Sequence, residues 1–287
     1  MTRNYFKSAW RSLVFNKQYT AINIVGLSVS IAACILIGVS VHHETSFDSQ
    51  VPDRSNVYRL NEYVHYDGTA PQLSAAIGPP IAALLKSSHS EIEMSTRVYS
   101  ASPEIFQAAT LEYNGKKVSS GKLICTDSSF ARMFGIQIIS GNHYDFIPLQ
   151  NNIAFTQSMA QKIFGQENAL NKTIALRVND STAHQYVVSH IIKDLPGTSH
   201  LQADIMLRIP ADFEKGFLGK NYGVLLGPTY LRLQAGVDSK KLEAKLTETV
   251  HAKNKFIDMR LQPVAELHAG STDISYDFLY GDRKSVV

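Results

Sequence analysis

"AINIVGLSVSIAACILIGVSV", Ala21 to Val41, carries no charged side chain in twenty-one positions, and its reading decides how the rest of the chain is organised. A helix rises 1.5 Å per residue, so the stretch covers about 30 Å, the thickness of a bilayer's hydrocarbon core. A helix buried in a soluble core keeps a polar stripe, and no amphipathic period runs through this one. Asn23, its one strongly polar side chain, lies near one end, at headgroup depth. Ser28, Ser30 and Ser40 can bond back to their own helix carbonyls. Gly26, Ser30 and Ala33 leave notches that suit helix–helix contact in lipid, although plain helix composition would leave the same pattern. A secretion signal has an apolar region of about 7–15 residues and a small-x-small cleavage site. Here the apolar run is longer and leads into "HHETSFD", which has no such site. The sequence predicts a transmembrane helix that stays attached, within residues 19–42.

Charge sets its orientation. Residues 1–18 hold Arg3, Lys7, Arg11 and Lys17 and no acid, whereas Glu44, Asp48 and Asp53 follow the span before Arg54. Positive charge stays inside, so the N-terminus is expected in the cytoplasm and everything after Val41 outside. Without those four cations, 24 basic residues face 25 acids. The exported part is close to neutral, and the pI of 8.7 is no argument for nucleic acid. In "NYFKSAWRSLVFNK", Phe6, Ala9, Trp10, Leu13 and Val14 recur at helical spacing, apart from Lys7, Arg11 and Lys17. That pattern predicts an amphipathic helix over 1–18 lying in the inner interface, the plainer alternative being a frayed cytoplasmic start. Cys34 falls in the span and Cys125 in the exported part, so the two are not expected to pair, and no cysteines stand at metal spacing.

The exported part is long enough for one large domain or two small lobes. "VYRLNEYVHY" reads as a strand, "PPIAALLKSS" as a helix with prolines at its start, and "STRVYSASPEIF" as a second extended stretch. Much later the order returns. "TYLRLQ" is a strand, "DSKKLEAKLTETVHAKN" a helix with Asp238 as N-cap and Leu242, Leu246 and Val250 on one face, and "FIDMRLQPV" a strand. Two βαβ units, one at each end, suggest a split ferredoxin-like lobe. Between them, "TLEYNGKKVSSGKLICT" has a hairpin signal at Asn114–Gly115. "NNIAFTQSMAQKIFGQ" runs from a strand into a helix capped by Thr156 and stopped by Gly165. "KTIALRV" and "QYVVSHIIKDLPG" read as strands, the latter ended at Pro196–Gly197. Residues 108–227 are expected to form a second lobe inserted into the first.

No chemical motif appears. The chain has no G-x-x-x-x-G-K-[ST] phosphate loop, no H-E-x-x-H, no G-x-S-x-G and no dinucleotide fingerprint. His42, His43 and Glu44 are adjacent in sequence and cannot share a helix face, so interfacial polarity explains them better than a metal. His184, His190, His200 and His268 are scattered and read as surface or turn residues. Gly197 to His200 reads as a turn, with Asp194 bonded to local backbone amides. The expectation is no catalytic, cofactor-binding or metal residue, and no cofactor.

Six stretches together resemble the MacB/FtsX-like ABC transporter permeases. They are "RNYFKSAWRSLVFNKQYTAINIVGLSVSIAACILI", "FDSQVPDRSNVYRLNE", "FARMFGIQIISGN", "NNIAFTQSMAQKIFGQENALNKTIAL", "YVVSHIIKDLPGTSHLQADIML" and "MRLQPVAELHAGS", in order and at family-like spacing. The resemblance implies an α+β protein, one N-terminal transmembrane helix followed by a two-lobed periplasmic domain. Residues 43–107 and 228–280 would form the βαβ, porter-like lobe, and 108–227 the inserted, sabre-like lobe. It further implies a subunit of the bacterial cytoplasmic membrane that pairs with a second copy and a cytoplasmic ATP-binding subunit, with a periplasmic adaptor as a further partner. The competing expectation is a single-span anchored sensor or ligand-binding domain, and a third is an anchored periplasmic enzyme. The family continues into further membrane helices, so the resemblance also implies truncation before the second span. One codon choice for Asp282 to Val287 reads like a sequencing adapter, which marks 281–287 as an expected non-native tail.

The topology is testable by labelling. Asn114→Cys is expected to react with an impermeant maleimide in intact spheroplasts and Ser8→Cys to stay unlabelled; the reverse pattern would overturn the orientation.

Overall fold

A computed structural model describes residues 5, 10–11, 13–65, 71–100, 109–119, 121–178, 182–211, 216 and 220–270. Half of the expected interfacial helix over 1–18, and the whole of 281–287, lie outside the described residues. The chain divides into two units, residues 1–46 and 47–287.

The first unit contains α1 (Lys17–Thr45), 29 residues long and apolar enough to cross a membrane. None of its residues is buried in protein, and Ile22, Val25, Leu27, Ile35 and Leu36 expose apolar surface around its circumference. Such a surface is stable only against lipid or another apolar partner. Ser30 Oγ donates to the Gly26 carbonyl at 2.9 Å, the back-bond expected of a hydroxyl in a helix without solvent.

In the second unit the chain forms β1 (Val57–Val64), β2 (Gln72–Ser74), α2 (Pro79–Ser88) and β3 (Ile92–Ser100). The middle contributes β4 (Ala109–Tyr113), β5 (Lys116–Ser119), β6 (Leu123–Thr126), α3 (Phe130–Phe134), β7 (Ile138–Ser140) and β8 (Asn152–Thr156). It continues with α4 (Gln157–Phe164), β9 (Thr173–Val178), β10 (His184–Ile192) and β11 (Ile205–Arg208). The chain then forms β12 (Thr229–Leu233), α5 (Ser239–His251), β13 (Ile257–Pro263) and a closing turn of helix, α6 (Leu267–Gly270).

Four strands stand in the order β13–β1–β12–β3, all antiparallel. Each helical crossover, β1–α2–β3 and β12–α5–β13, therefore skips one strand of the other unit, which is the interlocked split βαβ arrangement. Prolines fill the first two positions of α2, where their missing N–H groups cost nothing. Asp238 caps α5 by accepting from the amides of Lys240 and Lys241, both at 3.1 Å. Leu242, Leu246 and Val250 then share one face and meet Ile81 and Leu85 of α2 over Leu60, Leu231 and Met259 of the sheet. The middle strands follow the same local rules. Asn114 and Gly115 both have positive φ, 48° and 75°, the geometry of the tight turn between β4 and β5. Thr156 Oγ1 accepts from the Met159 amide and caps α4, whose Met159, Ile163 and Phe164 cover Ile153 and Phe155 of β8.

One continuous path of hydrogen-bonded strands links these parts: β13–β1–β12–β3–β6–β11–β8–β10–β9–β4–β5. The hand-over occurs within β3. Its residues Ile92 to Arg97 pair with β12, and Val98 to Ser100 with β6. A shared core lies across the same junction. Val57, Met94, Val98 and Tyr230 from the four-stranded part pack with Phe130, Phe134, Phe146 and Met206 from the middle. The rings of Phe134 and Tyr230 meet edge to face at 4.9 Å.

Phe130 is fully buried in this shared core. Phe130→Ala is expected to cost about 3–5 kcal/mol and to move one cooperative urea transition followed by circular dichroism in detergent. Two transitions, one of them unmoved, would show that the two parts unfold independently.

Candidate functional site

The residues that follow α1 directly, Phe47 to Arg54, form a hook clamped to the folded domain. Asp48 adopts φ 54° and is 1% exposed. Its amide donates to the Thr198 carbonyl at 2.9 Å. Its carboxylate accepts from the His200 amide at 3.0 Å and from Ser199 Oγ at 3.4 Å, and lies 2.7 Å from His200 Nδ1. His200 Nε2 in turn meets the Tyr230 hydroxyl at 2.9 Å. A buried carboxylate survives only with such partners. Further along, Arg54 Nη1 donates to the Phe47 carbonyl at 2.9 Å and closes the hook on itself.

A second clamp holds the far side. Arg232 of β12, 8% exposed, donates through Nη2 to the carbonyls of Met133 at 2.9 Å, Arg132 at 3.3 Å and Pro52 at 3.4 Å. Two of those acceptors end α3, where carbonyls lack helical donors. Gly135 closes that helix with φ 64° and lies so near the hook that a Cβ would fall 2.8 Å from Pro52 Cδ and 2.9 Å from the Gln50 carbonyl. Phe47 stacks on His268 with ring centroids 3.4 Å apart.

Asp48, His200 and Tyr230 line up as carboxylate, imidazole and phenol, a sequence of groups also used in proton relays. Here Asp48, His200 and Tyr230 are 1%, 3% and 0% exposed, and each has its partner within the row. The arrangement ties the hook to the 198–200 turn and to β12.

Of the histidines expected at the surface or in turns, two are buried. His200 is buried for the reason just given. His190 is also buried, its Nε2 meeting the Asn142 carbonyl at 3.0 Å and its Nδ1 meeting Ser189 Oγ at 2.8 Å. Burial holds its pKa below the usual histidine value, with the Asn142 carbonyl opposing. His184 is exposed at the start of β10. His43 lies 4.0 Å from Glu44 with both side chains exposed. Asp194 differs too: it accepts from the Ser158 amide at 3.0 Å, so it caps α4 across 36 residues instead of bonding nearby amides. Cys125 is a buried thiol whose pKa burial pushes up to about 12, which leaves it unreactive. Among the described residues no three His, Cys, Asp or Glu side chains gather to hold a metal.

Sequence reading missed one further group. Glu62 of β1 is completely buried, and neither carboxylate oxygen has a hydrogen-bond partner. Burial alone raises its pKa to about 8. The signal was an acid at the middle of Leu60-x-Glu62-x-Val64, the strand positions that share one face.

The hook is testable. Asp48→Ala strands His200 and Ser199 in the interior and is expected to lower stability by about 3–5 kcal/mol in urea melts. A change below ~1 kcal/mol, the value of an exposed pair, would show that the clamp does not hold the hook.

Comparison with known proteins follows the same lines. The model of the MacB-like periplasmic core domain matches residues 20–249. A domain of a candidate permease from Porphyromonas gingivalis superposes with a TM-score of 0.61 at 19% identity, over 74% of this chain and 91% of that one. The periplasmic region of MacB from Actinobacillus actinomycetemcomitans gives 0.51 at 16% identity, with the same 74% and 91%. Among curated proteins no sequence matches. The two structures share the fold, and the matched span runs from within the apolar helix almost to the end of α5. On that footing the chain belongs to the MacB-like periplasmic core domain family, the family of the MacB-like ABC transporter permeases.

Proposed function

We propose that this permease is moved by a partner ATPase in the cytoplasm and that its extracytoplasmic domain converts the movement into export or extraction of a substrate, or into transmitted force. The N-terminus would be cytoplasmic, the domain periplasmic and the membrane the bacterial inner membrane. The partners would be an ATP-binding subunit, a second permease copy, the bilayer and a periplasmic adaptor, with no nucleic acid. Dividing the domain into lobes 43–107 with 228–280 and 108–227 belongs to this proposal.

The observation that carries it is the hook. Asp48 is the third residue after the end of α1 at Thr45, and its carboxylate is locked to Ser199 and His200. A displacement of α1 pulls on Phe47 to Asp53 first. Those residues are fastened to β12, to the end of α3 and to the 198–200 turn, so the load spreads into the shared core. A loose tether would absorb the same motion. The given sequence has no phosphate loop, which supports the reading that ATP is bound by a separate subunit. The sensor alternative draws on one observation, the unpartnered Glu62 at a cavity.

A flexible Gly/Ser insert between Ser46 and Phe47 separates transmission from folding. In membranes that hold the permease with its ATPase, spin labels at Asn114 are expected to report an ATP-dependent change in the distance between copies. The insert should leave the domain folded and abolish that change. A distance change that survives the insert, or ATP hydrolysis by the purified permease alone, would refute the proposal.

A further inference from the structure

Glu62 lies on the face of β1 that carries Leu60, beneath the helices. Its cross-strand neighbours are Met259 of β13, which is apolar, and Ser74 of β2. Ser74 Oγ is engaged by its own turn, donating to the Ala76 carbonyl at 2.8 Å and accepting from the Ala76 amide at 3.1 Å. The carboxylate therefore finds no donor on either side. Glu62 lines a cavity of about 330 Å³ together with Val64, Leu225, Phe256, Ile257, His65, Gly223 and Asn254. Its carboxylate oxygens sit within the wall, shielded from solvent, and a rotation of the side chain would turn them to the cavity. That volume suits a small molecule.

An unpartnered acid in an apolar setting costs stability. Methionine or leucine in its place would fill the same strand position without that cost. A ligand donor that entered the cavity would satisfy it, and a cation would do so best, because charge-assisted hydrogen bonds are the stronger ones.

We propose that the Glu62 cavity binds a small primary amine, its ammonium group against the buried carboxylate and its apolar part against Val64, Leu225, Phe256 and Ile257. The inference goes beyond the permease reading and does not depend on it. The surrounding charges fit a ligand with a single ammonium. His65 Nε2 is held by Asp258 at 2.9 Å, and the second oxygen of Asp258 by His251 at 2.9 Å, so that carboxylate is already committed. Lys220 and Lys253 line an adjoining cavity of about 370 Å³ that shares Gly223 and Asn254, and Lys255 Nζ sits 5.2 Å from the centre of the Phe256 ring. Those lysines disfavour a second positive charge on the ligand.

Proton bookkeeping gives the test its signature. Glu62, with its pKa raised to about 8, is protonated at pH 7. An ammonium ion recruits the carboxylate form, so binding at pH 7 must release close to one proton per ligand. The raised pKa also means that the folded state holds this proton after the unfolded chain has lost it. Stability from this group therefore falls as pH rises from about 4.5 to about 8.

The probe is benzylamine, with benzyl alcohol as its neutral match, titrated calorimetrically into the full chain in nanodiscs against empty nanodiscs, in buffers of different ionisation enthalpy. Benzylamine is expected to bind saturably with release of close to one proton at pH 7, and benzyl alcohol at least tenfold more weakly with none. Glu62→Gln and Glu62→Met are expected to weaken benzylamine at least tenfold and abolish the proton release. The methionine variant should also melt at a higher temperature than the parent, by a margin that grows between pH 5 and pH 8. Equal binding of amine and alcohol, binding without proton release, or no saturable binding of benzylamine at millimolar concentration would each overturn the proposal. These three readouts need no variant and stand even where a substitution impairs folding.

Discussion

Asp127 holds β3 at the point where that strand changes partners, and the architecture of the domain depends on it. Its Oδ1 accepts from Thr96 Oγ1 at 2.6 Å, and its Oδ2 accepts from the Arg97 amide at 3.0 Å and lies 3.5 Å from Arg97 Nε. Thr126 Oγ1, one residue earlier, donates to the Arg97 carbonyl at 2.7 Å. Both backbone groups of Arg97 are thus fixed by side chains from the end of β6. This is where the pairing of β3 with β12 ends and its pairing with β6 begins, at Val98. A strand that leaves one partner for another exposes backbone polar groups at the switch, and buried ones must be paired. The two-threonine, one-aspartate arrangement meets that requirement with side chains. It lets a four-stranded split βαβ unit and a larger mixed sheet share one strand, and so one core.

A shared strand has mechanical consequences. With Val57, Val98 and Tyr230 packed against Phe130, Phe134 and Met206, a rotation of one part relative to the other has to repack aromatic rings. The interior of a protein is close-packed and resists such changes. The hook enters at the same place: Val51 is a member of this core, and His200 meets Tyr230 directly. The attachment of the chain leaving α1 and the junction between the two sheets are one structure. The proposed transmission of movement draws on that coincidence, since slack at either point would dissipate displacement before it reached the outer strands.

Elements with a strong local pattern were legible in the sequence. The uncharged run from Ala21 to Val41, the Asn114–Gly115 turn, the Asp238 and Thr156 caps and the Leu242–Leu246–Val250 stripe each stabilise themselves within a few residues, and each stands where it was expected. The five-residue helix Phe130–Phe134 was not legible as a helix. One and a half turns leave no period to detect, and its existence depends on burial in a core drawn from distant strands. The same limit applies to the polar groups that matter most. His200 sits in a Gly-Thr-Ser-His turn, as read, but its partner Asp48 is 152 residues away. Asp194 is a cap for a helix that starts 37 residues earlier. Local sequence carries the turn, and only the fold carries the partner.

Asp48 and Glu62 show how differently one domain can treat two acids buried to the same degree. Asp48 receives an amide and a hydroxyl and lies 2.7 Å from an imidazole nitrogen. Glu62 receives nothing, though it lies only fourteen residues later and on a strand whose opposite face does accommodate polar side chains. On that face, Arg59 Nη2 and Asn61 Nδ2 both donate to Gln262 Oε1 at 2.9 Å. That face therefore pairs its donors, while Asn61 Oδ1, like the Glu62 oxygens, has no hydrogen-bond partner. An acid left bare on the other face, against a cavity, costs stability that a simple apolar substitution would restore. Stability selection alone would favour that substitution. A group that destabilises the empty domain and has room beside it for a ligand is placed as binding groups are, with its hydrogen-bonding capacity left for a molecule that arrives later.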